Sequence, residues 1–245
     1  MDVFDAIRTR RSIRHFSNVP VEWEKVVRVL EAGSLAPSSG NVQNWRFIVV
    51  TDKDLRHKIA EACLEQSWIT EAPVIIVVVA DLARIKKLYG ERGVKLYSIQ
   101  NCAAAIQNML LAAHALGLGA CWVSAFEDEA LSRILGIPSG VKPQAVIPLG
   151  YPAEKPPEPM HYTLENLCFF ESYGNRIKDI DTVLWNFNVV GKAIDAVKKT
   201  TNAVSEKTKS GVKKIVEKER IKKVKSRISS FVSKLKRKKQ KEGRK

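Results

Sequence analysis

Cysteine is scarce and scattered: Cys63, Cys102, Cys121 and Cys168 are the only four in 245 residues, and no two stand at C-x-x-C spacing. That excludes a disulfide-stapled scaffold and leaves no zinc-ligand pattern, so the thiols read as small reduced core residues. The histidines (His15, His57, His114, His161) also lack ligand spacing, and no metal site is expected. The longest apolar run, Val74 to Ala80, falls far short of the roughly 20 residues a spanning helix needs. The opening MDVFDAIRTRRS has no apolar stretch of the kind that marks a secretory signal, and a cytoplasmic protein is expected. No internal repeat, no glycine-rich dinucleotide fingerprint and no Ser-His-Asp, Cys-His or paired-carboxylate arrangement is present.

What is there is an ordinary globular mixture, 45% hydrophobic and 27% charged, with an uneven charge. Residues 1–180 hold 20 Lys and Arg against 20 Asp and Glu, whereas residues 181–245 hold 21 against 6, so the whole net charge of +15 sits in the last segment. A neutral domain over 1–180 and a basic extension over 181–245 are expected, and basicity says nothing about what the domain binds.

Periodicity places the elements. Val3, Phe4 and Ile7 predict a short first helix, and Trp23, Val26, Val27 and Leu30 predict a second that stops near Gly33. Ala36 to Asn44 reads as loop and Trp45 to Thr51 as a strand. Leu55 to Gln66 predicts a helix, and Val74 to Ala80, with no polar member, a buried strand. Ser98 to Leu116 is apolar on more than one side, so it predicts a central helix covered on several faces. Ala120 to Ser124 predicts a strand, Glu127 to Leu135 a helix with Gly136 after it, and Ala145 to Leu149 a last strand.

Two segments carry chemistry. Arg10-Arg11-Ser12-Ile13-Arg14 sets three guanidiniums around a hydroxyl, which suits a bound phosphate; a solvated basic face is the alternative. If the segment is extended, Arg10, Ser12 and Arg14 point the same way. Ala36-Pro37-Ser38-Ser39-Gly40-Asn41-Val42-Gln43-Asn44-Trp45 packs short donors and acceptors into a loop that can offer them to a polar ligand, or form an ordinary turn.

Together with Ala115 to Trp122 (A-L-G-L-G-A-C-W) and Pro148 to Pro152 (P-L-G-Y-P), these segments resemble the FMN-dependent nitroreductase family in order and spacing, over about Met1 to Gly174. The resemblance implies an α+β fold, a mostly antiparallel central sheet flanked by helices, in an intertwined homodimer with FMN at the interface. It implies that Arg10, Arg11, Ser12 and Arg14 hold the phosphate, ribityl chain and part of the pyrimidine ring. Pro37, Ser38 and Ser39 reach the flavin from the other chain, with Asn41 and Gln43 beside them. Trp122, Val123 and Ser124 face the isoalloxazine, Gln66 corresponds to a polar ring contact, and the helix at Ser98 to Leu116 to the dimer core. The sequence departs from the family at two places. Asn44 stands where Pro often follows the motif Gln. His161 stands where an Arg or Lys commonly contacts the phosphate, so either FMN is held more weakly or other basic side chains compensate; a half-exposed loop residue is the alternative reading.

The implied activity is transfer of hydride from NADH or NADPH to flavin N5 and then to a small acceptor, a nitroaromatic or quinone, by ping-pong kinetics, with Arg14 stabilising charge near N1 and O2. No acid or base residue is expected, and Glu71 and Glu127 read as surface or capping carboxylates. The alternative is a nitroreductase-fold interaction module with weak or no FMN, targeted by its tail. Residues 181–245 space apolar side chains for one or two basic amphipathic helices. Four roles fit them: a solvated appendage, an anionic membrane surface, a coiled coil, or nucleic acid, the last disfavoured because no stacking aromatics alternate with the lysines.

Overall fold

The computed structural model describes residues 1–176, so the helices expected over 181–245 lie outside the described residues. The chain divides into one compact unit, Met1–Pro159, and a second that begins at Met160.

The first unit is built on β2 (Val74–Asp81), which pairs antiparallel with β1 (Trp45–Val50) on one side and β4 (Val141–Gly150) on the other. β3 (Gly119–Ala120) extends the sheet beyond β4, giving the order β1-β2-β4-β3. Successive side chains of a strand point to opposite faces. Val74, Ile76, Val78 and Ala80 therefore pack with Val26 and Val29 of α2 (Trp23–Ser34) and with Cys102, Ile106 and Met109 of α5 (Ser98–Ala115). Ile75, Val77 and Val79 pack the other way, on Ile59 and Ala62 of α3 (Lys53–Ala62) and Leu131 of α6 (Asp128–Leu135). Both faces are dry, which is why Val74 to Ala80 has no polar member and the aspartate comes only at the half-buried end; each such Val or Ile is worth about 1.5–3 kcal/mol of burial.

Several elements differ from the sequence reading. Gly33 does not stop α2: it lies inside the helix, where a Cβ would stand 2.7 Å from Met109 Cγ, so its smallness lets α2 approach α5. α3 ends at Ala62 rather than Gln66, because Leu64 and Glu65 turn left-handed at φ 59° and 58°. The strand expected over Ala120 to Ser124 pairs only as Gly119–Ala120 plus an isolated bridge of Val123 to Val146. α4 (Ala83–Arg92), interrupted at Gly90 and followed by a wide turn over Gly93–Tyr97, was not foreseen. Its residues are mostly exposed and polar, with little apolar periodicity to find. α5 forms as expected, but within one chain a single face is fully buried and Ile99 is 52% exposed.

α1 (Val3–Thr9) is capped by Asp2, whose carboxylate accepts from Phe4 N–H at 2.8 Å. It leaves Val3, Phe4 and Ile7 exposed. In the second unit, α7 (Leu164–Leu167) precedes a turn in which Phe169 bridges Arg176. No helix of the described residues is long and apolar enough to cross a membrane.

Candidate functional site: a cationic strip beside a strand end

The segment after α1 runs extended along the sheet edge. Ser12 bridges Ala120, Ile13 N–H donates to Ala120 O at 3.1 Å, and further on Ala153 N–H donates to His15 O at 2.9 Å. The strip Arg10 to Arg14 is thereby laid beside the chain that leads from β3 into Cys121, Trp122 and Val123. The close approach needs Gly119, where a Cβ would stand 2.8 Å from Ile13 Cγ1. Burial pushes the Cys121 thiol up, while Arg14, the Ser12 hydroxyl and Arg10 pull it partly back. Arg14 also lies over the Trp68 ring, 5.9 Å from its centroid. Arg10 and Arg14 have no carboxylate salt-bridge partner among the described residues.

Arg11 behaves differently. Its Nη1 donates to Arg8 O and Arg10 O, both at 2.8 Å, and Nη2 lies 3.9 Å from Glu158. With Thr9, Ile13, His114, Leu118, Glu154 and Lys155 it lines a cavity of about 390 Å³. Burial, then Arg10 and Arg11, hold the His114 imidazole below its ordinary pKa.

Two carboxylates far away in sequence fix the backbone of the strip. Glu154 Oε1 accepts from Arg14 N–H at 2.5 Å and His15 N–H at 3.1 Å. Glu71 accepts from Phe16 N–H at 3.2 Å and stands 3.3 Å from His15 Nδ1. Three consecutive amides are thus held by side-chain oxygens. Glu71, read from sequence as a surface or capping carboxylate, is exposed as read and also clamps this segment. Glu154 had no signal in the sequence, because its partners lie 139 and 140 positions away.

The Pro37-Ser38-Ser39 loop closes in a tight turn: Gly40, Asn41 and Gln43 all adopt positive φ, at 53°, 55° and 50°. Gln43 N–H donates to Ser38 Oγ at 3.0 Å, and Gln43 Nε2 to Asn41 Oδ1 at 2.7 Å, so Asn41 and Gln43 are bonded to each other. Ser39 is tied to the buried Asn101. Pro37 is exposed, and Ser38 and Ser39 are half-buried.

At the strand end, Val123 is buried and Trp122 is 37% exposed. The amides of Ser124 and Ala125 have no partner among the described residues. Gln66 Nε2 donates to Cys63 O at 2.7 Å and Ala125 O at 3.3 Å, so its amide nitrogen holds this loop in place. In the G-Y-P segment, Tyr151 donates to Glu22 at 2.7 Å and accepts from Lys25, and the hydroxyl holds the Glu22 carboxyl below its usual range. His161 falls in the second unit and is exposed.

Comparison with known proteins places the chain in a family. Residues 7–70 and 64–151 match the profile of the Nitroreductase family. A Methanothermobacter thermautotrophicus protein, named provisionally as an NADH dehydrogenase/NAD(P)H nitroreductase, is 42% identical over 160 residues, covering 64% of this chain and 80% of its own. The FMN reductase [NAD(P)H] of Bacillus subtilis is 30% identical over 188 residues, 71% of this chain and 76% of that one. A crystal structure from Bacteroides thetaiotaomicron, with the same provisional name as the first, is 35% identical with a TM-score of 0.62 and covers 70% of this chain and 98% of that one. The chain belongs to the nitroreductase family.

Proposed function

We infer that this protein is an NAD(P)H-dependent FMN oxidoreductase acting on a small acceptor such as a nitroaromatic or quinone. The observation that carries the reading is the Ser12–Ala120 bridge, which sets a cationic strip beside a strand end with unpartnered amides. The residues present fit FMN. Arg10 and Arg14 have no carboxylate salt-bridge partner to displace, and Ser12 stands between them; the free N–H groups of Ser124 and Ala125 suit the polar edge of a flavin ring. FMN, when bound, supplies the hydride chemistry.

The chain's own residues orient and polarise. Arg10 binds the phosphate, Ser12 the ribityl chain, and Arg14 places positive charge at the pyrimidine edge, steadied by Trp68 and by the Glu154 grip on its amide. Arg11 and Lys155 line one cavity and are the basic side chains that compensate for His161, which stands in the sequence where the family has Arg or Lys. Pro37, Ser38 and Ser39, with Asn41 and Gln43, serve the flavin of a second copy, and Gln66, Trp122 and Val123 shape the ring site. A homodimer is supported by the exposed Val3, Phe4 and Ile7 of α1, Trp23 and Val27 of α2, and Ile99 of α5. NADH or NADPH and then the acceptor use one open ring face in turn, giving ping-pong kinetics. The working location is cytoplasmic, with residues 1–180 as the catalytic domain. Their net charge of +15 supports residues 181–245 as an electrostatic tether to anionic membrane.

The purified protein tests the reading. Stoichiometric flavin absorbance that bleaches anaerobically with NADH or NADPH and returns on addition of an acceptor is expected. A colourless chain that takes up no added FMN would overturn it.

A further inference from the structure

One buried polar chain ties the Ser38–Ser39 loop to the core. Asn101, in the first turn of α5 and 3% exposed, receives two bonds on Oδ1: from Ser39 N–H at 2.9 Å and from Ser39 O–H at 3.2 Å. Its Nδ2 donates to Oδ1 of Asn44 at 2.8 Å. Asn44 is 2% exposed and its own Nδ2 has no partner. This is the position where the sequence departs from the Pro common in the family, and the departure supplies the second half of a buried amide pair.

The direction of each amide bond in this chain is forced. A backbone N–H only donates, so Ser39 N–H must meet the carbonyl oxygen of Asn101 and never its NH2. With Oδ1 toward Ser39, Nδ2 must face Asn44, and Asn44 must answer with its oxygen. The single hydroxyl proton of Ser39 goes to the same Oδ1, so Ser39 offers only lone pairs to anything outside. Ser38 differs: its Oγ accepts from Gln43 N–H at 3.0 Å, and its own proton stays available. Two adjacent hydroxyls are thus set with opposite polarity, the arrangement needed to meet a heterocycle edge on which N–H and carbonyl groups alternate.

We propose that Asn101, oriented by Asn44, is a positioning residue that fixes Ser39 as a hydrogen-bond acceptor for a ring N–H of the flavin held by the twin chain, leaving Ser38 as the donor to a ring carbonyl. The assignment rests on the FMN reading above and names the residue behind its loop. A ligand presenting a lone pair to Ser39 takes the hydroxyl proton away from Asn101 Oδ1 and forfeits that bond, so the pair favours the ring edge over other polar ligands.

The test is titration of flavin-depleted full-length protein with FMN, followed by quenching of flavin fluorescence, alongside thermal melts and light scattering. Ser39→Ala weakens FMN by about 3- to 10-fold, the scale of one neutral hydrogen bond. Asn101→Leu weakens it at least as much. Asn101→Asp stays within about 3-fold of wild type, because a carboxylate still accepts from Ser39 and Asn44 can turn its unpartnered Nδ2 toward the second oxygen. That rescue separates polarity from mere packing. Wild-type FMN affinity in Ser39→Ala, or an Asn101→Asp chain that is folded, dimeric and as weak as Asn101→Leu, overturns the assignment. If Asn101→Leu fails to fold, the Ser39→Ala and Asn101→Asp results decide alone. A wild-type chain that takes up no FMN overturns the flavin reading and this assignment with it.

Discussion

The contact between Gly119 and Ile13 makes the cationic strip sensitive to a single methyl group. In Gly119→Ala the new Cβ would lie 2.8 Å from Ile13 Cγ1 and 2.9 Å from both Ile13 Cβ and Cγ2. Those Ile13 atoms sit at the root of the side chain, so rotation cannot clear them and the backbone must shift. Ile13 is 7% exposed and its N–H is bonded to Ala120 O, which opposes that shift. Overpacking of this kind costs about 1–3 kcal/mol, offset by about 0.4–1 kcal/mol because Ala restricts the unfolded chain. The net loss lowers Tm by several degrees, at about 2–4 °C per kcal/mol for a chain of this size. Displacing Ile13 also displaces Ser12 and Arg14, so FMN affinity falls together with stability. Gly117→Ala is the control. At φ 78° an added Cβ meets nothing within 4 Å, so its cost of roughly 1–2 kcal/mol is conformational and local. Differential scanning fluorimetry of the flavin-free chains and FMN titration measure both effects. Equal FMN affinity in Gly119→Ala and wild type, or an equal loss in both variants, would refute the claim that Gly119 sets the position of the strip.

Arg10→Ala removes a charge-assisted contact worth about 1.5–3 kcal/mol and should weaken FMN by roughly 10- to 100-fold in an equilibrium titration, while Arg46→Ala, on β1 and paired with Asp81 at 3.3 Å, should not. Glu154 is held below its usual range first by the Arg14 amide, so its contribution is complete at pH above the ordinary carboxylate value of 4.5 and is lost as pH falls through the lower folded value. Melts across acid pH should show that loss in wild type and a flatter profile in Glu154→Gln; identical profiles would remove the clamp from the account. Ile99→Lys places a charge on the exposed apolar side of α5 and should give a monomer in light scattering that also releases FMN, since each flavin would lose the second chain's Ser38 and Ser39. A monomer that keeps FMN would show that one chain suffices. Deleting residues 181–245 should leave NAD(P)H oxidation intact and abolish sedimentation with anionic vesicles, and binding that persists or ignores salt contradicts an electrostatic tether.

The sequence discloses what is local. β2 is visible because its alternate side chains enter two separate cores, and α6 because acid opens it and Gly136, at φ 63°, closes it. The strip and the serine loop are visible as motifs because their residues are neighbours in the chain. What holds them is not local. The Glu71 clamp on Phe16 spans 55 positions, Asn44 meets Asn101 across 57, and Glu154 meets Arg14 across 140. No composition or periodicity marks one carboxylate or amide among many as the partner of a distant N–H, so Glu71 could be read as a surface carboxylate but not as the partner of Phe16.

α5 shows the opposite case, in which the sequence says more than one folded chain displays. Its apolar residues encircle the helix, which predicts cover on several faces, yet one chain fully buries only the side toward α2 and the sheet. Neither Ile99 nor the half-buried Ala103 is explained by packing inside the chain. Apolar surface left on a central helix, continued by Val3, Phe4 and Ile7 of α1, is not covered by packing among the described residues and suits an association. The same incompleteness recurs in the chemistry: cations without carboxylate partners lie in one place, and hydroxyls of fixed polarity are tethered in another. On the reading proposed above, a second copy resolves both, covering the apolar faces and bringing the loop of one protomer to the strip of the other.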